Sequence, residues 1–205
     1  MPTIKYKIFD NRENKQKKDP FHSPSRTSSR FKEVSVYRVR HEGEDEHLPH
    51  KLTHLVAHHF EKPYLFQPDV DGKDGETGRV ITEMVSTSFW QEGLAHAVDD
   101  LVFSRKPIGV DKYFVDEWCQ KQTEDTPHLK DCINFNGFNK CSHELVVSFA
   151  GSLAKYLIKN FGVDKFRELY VQSKEIYSPE QNVKILESLY GSDIIDNWRK
   201  HIKAK

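Results

Sequence analysis

Two histidines four residues apart, His50 and His54, stand in the stretch HLPHKLTHLVAHH at residues 47–59. On a helix, positions four apart differ by about 40° of rotation, so both imidazoles reach one side and can grip one ion. A zinc ion that does chemistry needs a third protein ligand and an open fourth position. Glu92, in FWQEGLAHAVDD, is the best-placed candidate. Phe89, Trp90, Leu94 and Val98 would dock its helix against the first, and Gly93 permits a close approach. The neighbourhood is crowded, since His41, His47, His58 and His59 share the segment and His54 with His58 repeats the spacing.

HKLTH followed by FWQEGLAHAVDD resembles the gluzincin zinc peptidases of the thermolysin and aminopeptidase type, in which His-Glu-x-x-His precedes a helix bearing a glutamate ligand within Glu-Gly-x-Ala. SFAGSLAKYLIKNFGVDKFRELY and ILESLYGSDIIDNWRKHI resemble the helical C-terminal part of small bacterial peptidase-like proteins of that superfamily, so the resemblance covers roughly residues 46–205. It implies a zincin-like fold, a Zn2+ ion held by His50, His54 and Glu92, peptide-bond hydrolysis, and a peptide or protein as substrate or ligand.

Three departures limit the activity that the resemblance implies. The general base of the family follows the first histidine, where a carboxylate takes a proton from the attacking water. Here that residue is Lys51, whose ammonium cannot accept the proton and whose charge opposes a metal ion. The carboxylate that commonly stands four residues after the ligand glutamate and orients a histidine ligand is replaced by His96, although Asp99, seven residues on and nearly on the same face, could serve instead. No tyrosine precedes AGSLAKYL at a place suited to a developing oxyanion, which leaves His143 as the candidate. Two functions follow: a metallopeptidase with impaired turnover, or a pseudopeptidase that keeps the cleft to bind a peptide or protein.

The elements that must position these residues change character along the chain. TIKYKIF and EVSVYRV alternate apolar and polar side chains, which predicts strands near residues 3–9 and 33–40. Between them NRENKQKKDPFHSPSRTSSR is basic, rich in Ser and Pro, and predicts a mobile loop or disorder. From residue 48 the period becomes helical: Leu48, Leu52, Leu55, Val56 and Phe60 share one arc, with His50 and His54 opposite, Pro49 in the first turn and Pro63 as the stop. A second helix is expected over TEMVSTSFWQEGLAHAVDDLVF, and the last third is the clearest helical text. Ser142 and Gly162 bound one helix there, and Ser178, Pro179 and Gln181 compose a capping box at the start of another. The expected fold class is α+β: one domain over 1–205, with strands and a polar loop over 1–45 forming a small sheet packed on a helical body over 46–205.

Size and charge set the remaining bounds. A chain of 205 residues suits one domain with a sizeable core. With 31 basic and 31 acidic residues, nothing global favours nucleic acid or an anionic membrane surface. No apolar run approaches the about 18 residues of a membrane span, and the start lacks the apolar core of a signal peptide, so the expected location is cytoplasmic. Cys119, Cys132 and Cys141 show no Cys-x-x-Cys spacing and are expected to be free thiols.

Overall fold

The computed structural model describes the backbone of residues 3–9, 25–30, 33–39, 49–50, 53, 56–57, 86–104, 106, 113–121, 126–133 and 143–204, and side chains within 49–57, 86–106, 113–121, 129–133 and 145–204 of that set. Thr3–Phe9 (β1), Ser25–Arg30 (β2) and Glu33–Val39 (β3) are extended. β3 lies between the other two, parallel to β1 and antiparallel to β2. The Ser- and Arg-rich stretch expected to be loop therefore contributes a strand at Ser25–Arg30.

The body is built from helices: Ser88–Phe103 (α1), Val115–Lys121 (α2), His143–Phe161 (α3), Val163–Gln172 (α4), Pro179–Tyr190 (α5) and Ile194–Lys203 (α6), with a 3-10 segment at Thr126–Cys132. The expected α+β class, with a sheet packed on the helical body, is corrected here. The part of the chain whose side chains are described is helical and holds no strand. Its core is formed by helices and their connections, from Ala57 to Ile202. The substantial pairings run strand with strand and helix with helix. Alternation of apolar residues predicts an extended backbone, but it does not say which surface covers the apolar side. Here α1, α3 and the helices around them cover one another.

Inside the core, Trp90 of α1 meets its neighbour Phe89 and Phe166 of α4, while Trp118 of α2, Phe149 of α3 and Trp198 of α6 form a chain of edge-to-face ring contacts. Such pairs add about 0.5–1.5 kcal/mol each beyond the area they bury. α1 and α3 cross so closely that a Cβ on Gly93 would lie 2.7 Å from the Ala150 carbonyl oxygen, and one on Gly151 would lie 2.9 Å from the His96 Cβ. α5 begins with the expected capping box: the Ser178 hydroxyl accepts from the Gln181 amide, the Gln181 side chain accepts from the Ser178 amide, and Pro179 is in the first turn.

A buried polar chain ties four helices together. Lys155 of α3 reaches Asp100 of α1 at 2.8 Å and Asp116 of α2 at 3.0 Å. Ser152 donates to Asp116 at 2.7 Å and accepts from the Trp198 indole of α6 at 3.0 Å. Burial pulls the Lys155 ammonium toward neutrality, yet its hydrogen bonds and the charges of Asp100 and Asp116 together raise its pKa above the ordinary lysine value. Cys119 is a free, buried thiol as expected, whereas Cys132 is disulfide-bonded, which corrects the reading of free thiols at that position. Spacing along the chain does not reveal which cysteines the fold brings together. No helix among the described residues is long and apolar enough to cross a membrane.

Candidate metal centre

α1 is held at its N-terminus. The Thr87 hydroxyl caps it by accepting from the Trp90 amide at 3.3 Å. The Glu175 carboxylate accepts from the Ser88 amide at 2.8 Å and the Ser88 hydroxyl at 3.0 Å, which places negative charge at the positive end of the helix. Phe89, Trp90, Leu94 and Ala97 enter the core. Glu92, His96 and Asp99 follow one another by four and then three residues, so they form a stripe along one side of the same helix.

His50 meets that stripe. Pro49, His50, Thr53, Val56 and Ala57 are helical, and the Thr53 hydroxyl donates to the Pro49 carbonyl at 2.9 Å. His50 and Ala57 are buried while Val56 is 57% exposed, so the histidine side of this helix, rather than the side of Val56, turns inward. That corrects the expected orientation at Val56; Leu48, Leu52, Leu55 and Phe60 lie outside the residues whose side chains are described.

The His50 ring sits between two carboxylates. Its Nε2 is 3.2 Å from Glu92 Oε2, and its Nδ1 is 3.3 Å from Asp99 Oδ2. The two nitrogens of an imidazole face different directions, so Glu92 and Asp99 flank the ring. His96 Nε2 approaches the same Glu92 oxygen at 3.9 Å, and the two imidazole centroids are 4.6 Å apart with their planes tilted by 56°. His50, His96 and Asp99 are buried, and the Glu92 side chain is 31% exposed, so the cluster has one open side. Among the described residues, neither Asp99 oxygen receives a hydrogen bond of good geometry. A carboxylate so deeply placed is costly unless a cation, a donor or a metal-bound group faces it.

His50, His96 and Asp99 each offer a ligand atom within 4.8 Å of the others, a group that could hold a metal ion. The donor set suits a divalent cation of the imidazole- and carboxylate-binding type. Glu92 Oε2 stands beside this group, 3.2 Å from His50 Nε2 and 3.9 Å from His96 Nε2, near the about 3.4 Å that separates ligands of a tetrahedral zinc.

Of the residues singled out in the sequence, the fold brings His50, Glu92 and Asp99 together. Lys51 and His54 lie outside the residues whose side chains are described, and His143 opens α3 with its side chain likewise outside the description. His96, which stands where an orienting carboxylate is expected, belongs to the cluster. Its signal was the spacing itself: glutamate, histidine and aspartate at 92, 96 and 99 share one helix face. No family model, no curated protein and no solved structure matches this chain.

Proposed function

We propose that the chain is a zinc-binding, metallopeptidase-like domain of gluzincin type whose hydrolytic power is impaired and whose cleft serves mainly to bind a peptide or protein. The observation that carries the reading is His50 set between Glu92 and Asp99. A metal-ligating histidine commonly directs one nitrogen at the ion and the other at a carboxylate that fixes its orientation. Glu92 then stands on the ligand side and Asp99 on the orienting side, with His54 as the second histidine that the sequence supplies. Zinc held there would supply a Lewis acid for a peptide carbonyl.

The residues of the chain divide the remaining work unevenly. Asp99 holds the His50 ring, and Glu92 offers its carboxylate from the open side of the cluster. At the sequence position from which a carboxylate would draw a proton from water, Lys51 offers an ammonium instead. That residue favours binding over turnover.

The test is the metal content of the chain purified without added zinc, with His50→Ala alongside. About one zinc per chain, lost in the variant, is the expected result. A native protein free of metal that also fails to take up added zinc would remove the reading.

A further inference from the structure

We propose that the corner where α3 and α5 end is a binding site for a quaternary ammonium group, walled by Phe161 and Tyr190 and held by Lys165 until such a ligand displaces it. The corner lies about 15 Å along α3 from Gly151, where that helix meets the His96 Cβ, and it does not depend on the zinc reading.

Two helices stop here on an aromatic residue. Phe161 is the last residue of α3 and Tyr190 the last of α5, and each is followed by a glycine of positive φ, Gly162 at 87° and Gly191 at 99°. Only glycine adopts that backbone without strain, so the helices end abruptly and leave both rings at their rims. The ring centroids are 5.0 Å apart and the planes are inclined by 74°, which makes two walls of a corner. Tyr156 backs the Phe161 ring at 6.3 Å, and Phe161 is 39% exposed, so the corner is supported from behind and open in front.

A cation already occupies it. The turn at Gly162 brings Lys165 of α4 back over both rings, with Nζ 5.5 Å from the Phe161 centroid and 5.1 Å from that of Tyr190. Both distances fall within the about 6 Å over which a ring face attracts a cation. The surroundings have the matching sign. Burial, and after it the charge of Glu168, push the Tyr190 phenol above its ordinary value, so a carboxylate acts on this ring. The ends of α3 and α5 add the partial negative charge of helix C-termini.

Lysine fills such a corner imperfectly. Its ammonium is strongly hydrated and carries three N–H donors, which ring faces satisfy poorly. A quaternary ammonium has no N–H to satisfy, and its methyl groups gain from contact with the rings. The flexible four-carbon stem of Lys165 lets it swing out when that ligand enters.

Choline titrated into the full chain tests this, followed by the ring resonances of Phe161 and Tyr190 in NMR. The control is its uncharged carbon isostere, in which a tert-butyl group replaces trimethylammonium. Choline should shift both rings and the isostere should not. Lys165→Ala, which removes the internal competitor, should bind choline more tightly. Phe161→Leu should bind it about 2- to 5-fold more weakly, the share of one exposed cation–π contact. Phosphatidylcholine vesicles distinguish the source of the group: co-sedimentation that choline reverses assigns a lipid headgroup, and choline binding without co-sedimentation assigns a free soluble cation. No choline response in the native chain or in Lys165→Ala would overturn the site. So would an equal response to the isostere, an affinity in Lys165→Ala no higher than the native one, or an unchanged affinity in Phe161→Leu. Should Phe161→Leu fail to fold, the isostere and Lys165→Ala still decide.

Discussion

Asp99 places Oδ2 3.3 Å from Nδ1 of His50, joining the α1 stripe to the helix that carries the first candidate ligand. With Nδ1 on this side, Nε2 is the nitrogen facing Glu92. Removing the Asp99 carboxylate takes away the negative charge beside Nδ1 and should weaken the metal. Asp99→Ala is expected to lower zinc affinity by about 10- to 100-fold, the range seen when an orienting partner is lost. Asp99→Asn should lose less, because its amide oxygen can take the same place beside Nδ1 as an acceptor. Competition against a chelator of known affinity measures both; equal affinities in all three proteins would deny Asp99 this role.

Gly93 marks the closest approach of α1 to α3. In Gly93→Ala the new methyl would meet a backbone carbonyl at 2.7 Å, and a backbone oxygen cannot rotate away. Overpacking of this kind costs about 1–3 kcal/mol. For a chain of this size, each kcal/mol corresponds to a fall of about 2–4 °C in Tm. The metal-free variant should therefore melt several degrees lower, and its zinc affinity should also fall because Glu92 is the adjoining residue. A calorimetric scan in chelator that shows no change in Tm would mean that the helices separate more easily than the crossing implies.

Lys155 is the common partner of Asp100 and Asp116. Its pKa is raised, so its contribution to stability is full below the ordinary lysine value, about 10.4, and is lost as pH rises through the higher folded-state value. Near neutrality, Lys155→Met leaves two buried carboxylates facing each other. A loss of about 3–5 kcal/mol is expected in urea unfolding. Adding Asp100→Asn and Asp116→Asn should recover part of that loss, since no buried charge remains uncompensated. If the single variant were as stable as the native chain, the triad would count as a surface feature.

Cys119 gives the fold a response to alkaline pH. Burial pushes its thiol well above the ordinary value of 9.0; the hydrogen bond with Ser152 pulls it down, Asp116 pushes it up and Lys155 pulls it down. Above that ordinary value the unfolded chain ionises and the folded one does not, so stability falls as pH rises, by up to about 1.4 kcal/mol per unit. Cys119→Ala should flatten the slope of unfolding free energy between about pH 9 and pH 10. A slope identical in both proteins would place the effect elsewhere.

Local signals in the sequence carried well into the structure. The Ser178 cap with Pro179 and Gln181 is chemistry within four residues, and it forms at the expected place. Phe89, Trp90 and Leu94 enter the core because a helix period states which side is apolar. Glu92 was expected as a third ligand beside His50 because its helix docks against the first, and it lies 3.2 Å from the His50 Nε2. Packing partners were less legible. The alternation in TIKYKIF and EVSVYRV specifies a strand but not a covering surface, so the sheet-on-helix architecture did not follow from it. Val56 was assigned to a buried arc from hydropathy, yet the helix turns its histidine side inward. His96 is legible as a member of the cluster only together with Glu92 and Asp99 on the same stripe, since a histidine taken by itself says nothing of its neighbours.

Lys51 supplies the last prediction, because the residue expected to disarm the site can be exchanged without touching a ligand. Lys51→Glu removes a positive charge from the metal's surroundings and should tighten zinc binding. It also restores a proton acceptor, a function worth about 10²- to 10⁴-fold in rate. Hydrolysis of an unfolded protein substrate should therefore rise above that of the native chain. His50→Ala in the Lys51→Glu background must abolish the activity, which excludes a contaminating protease. Vigorous, chelator-sensitive cleavage by the native chain would show that Lys51 does not disarm it, and a zinc-loaded Lys51→Glu variant with no activity would leave the scaffold as a binding domain alone.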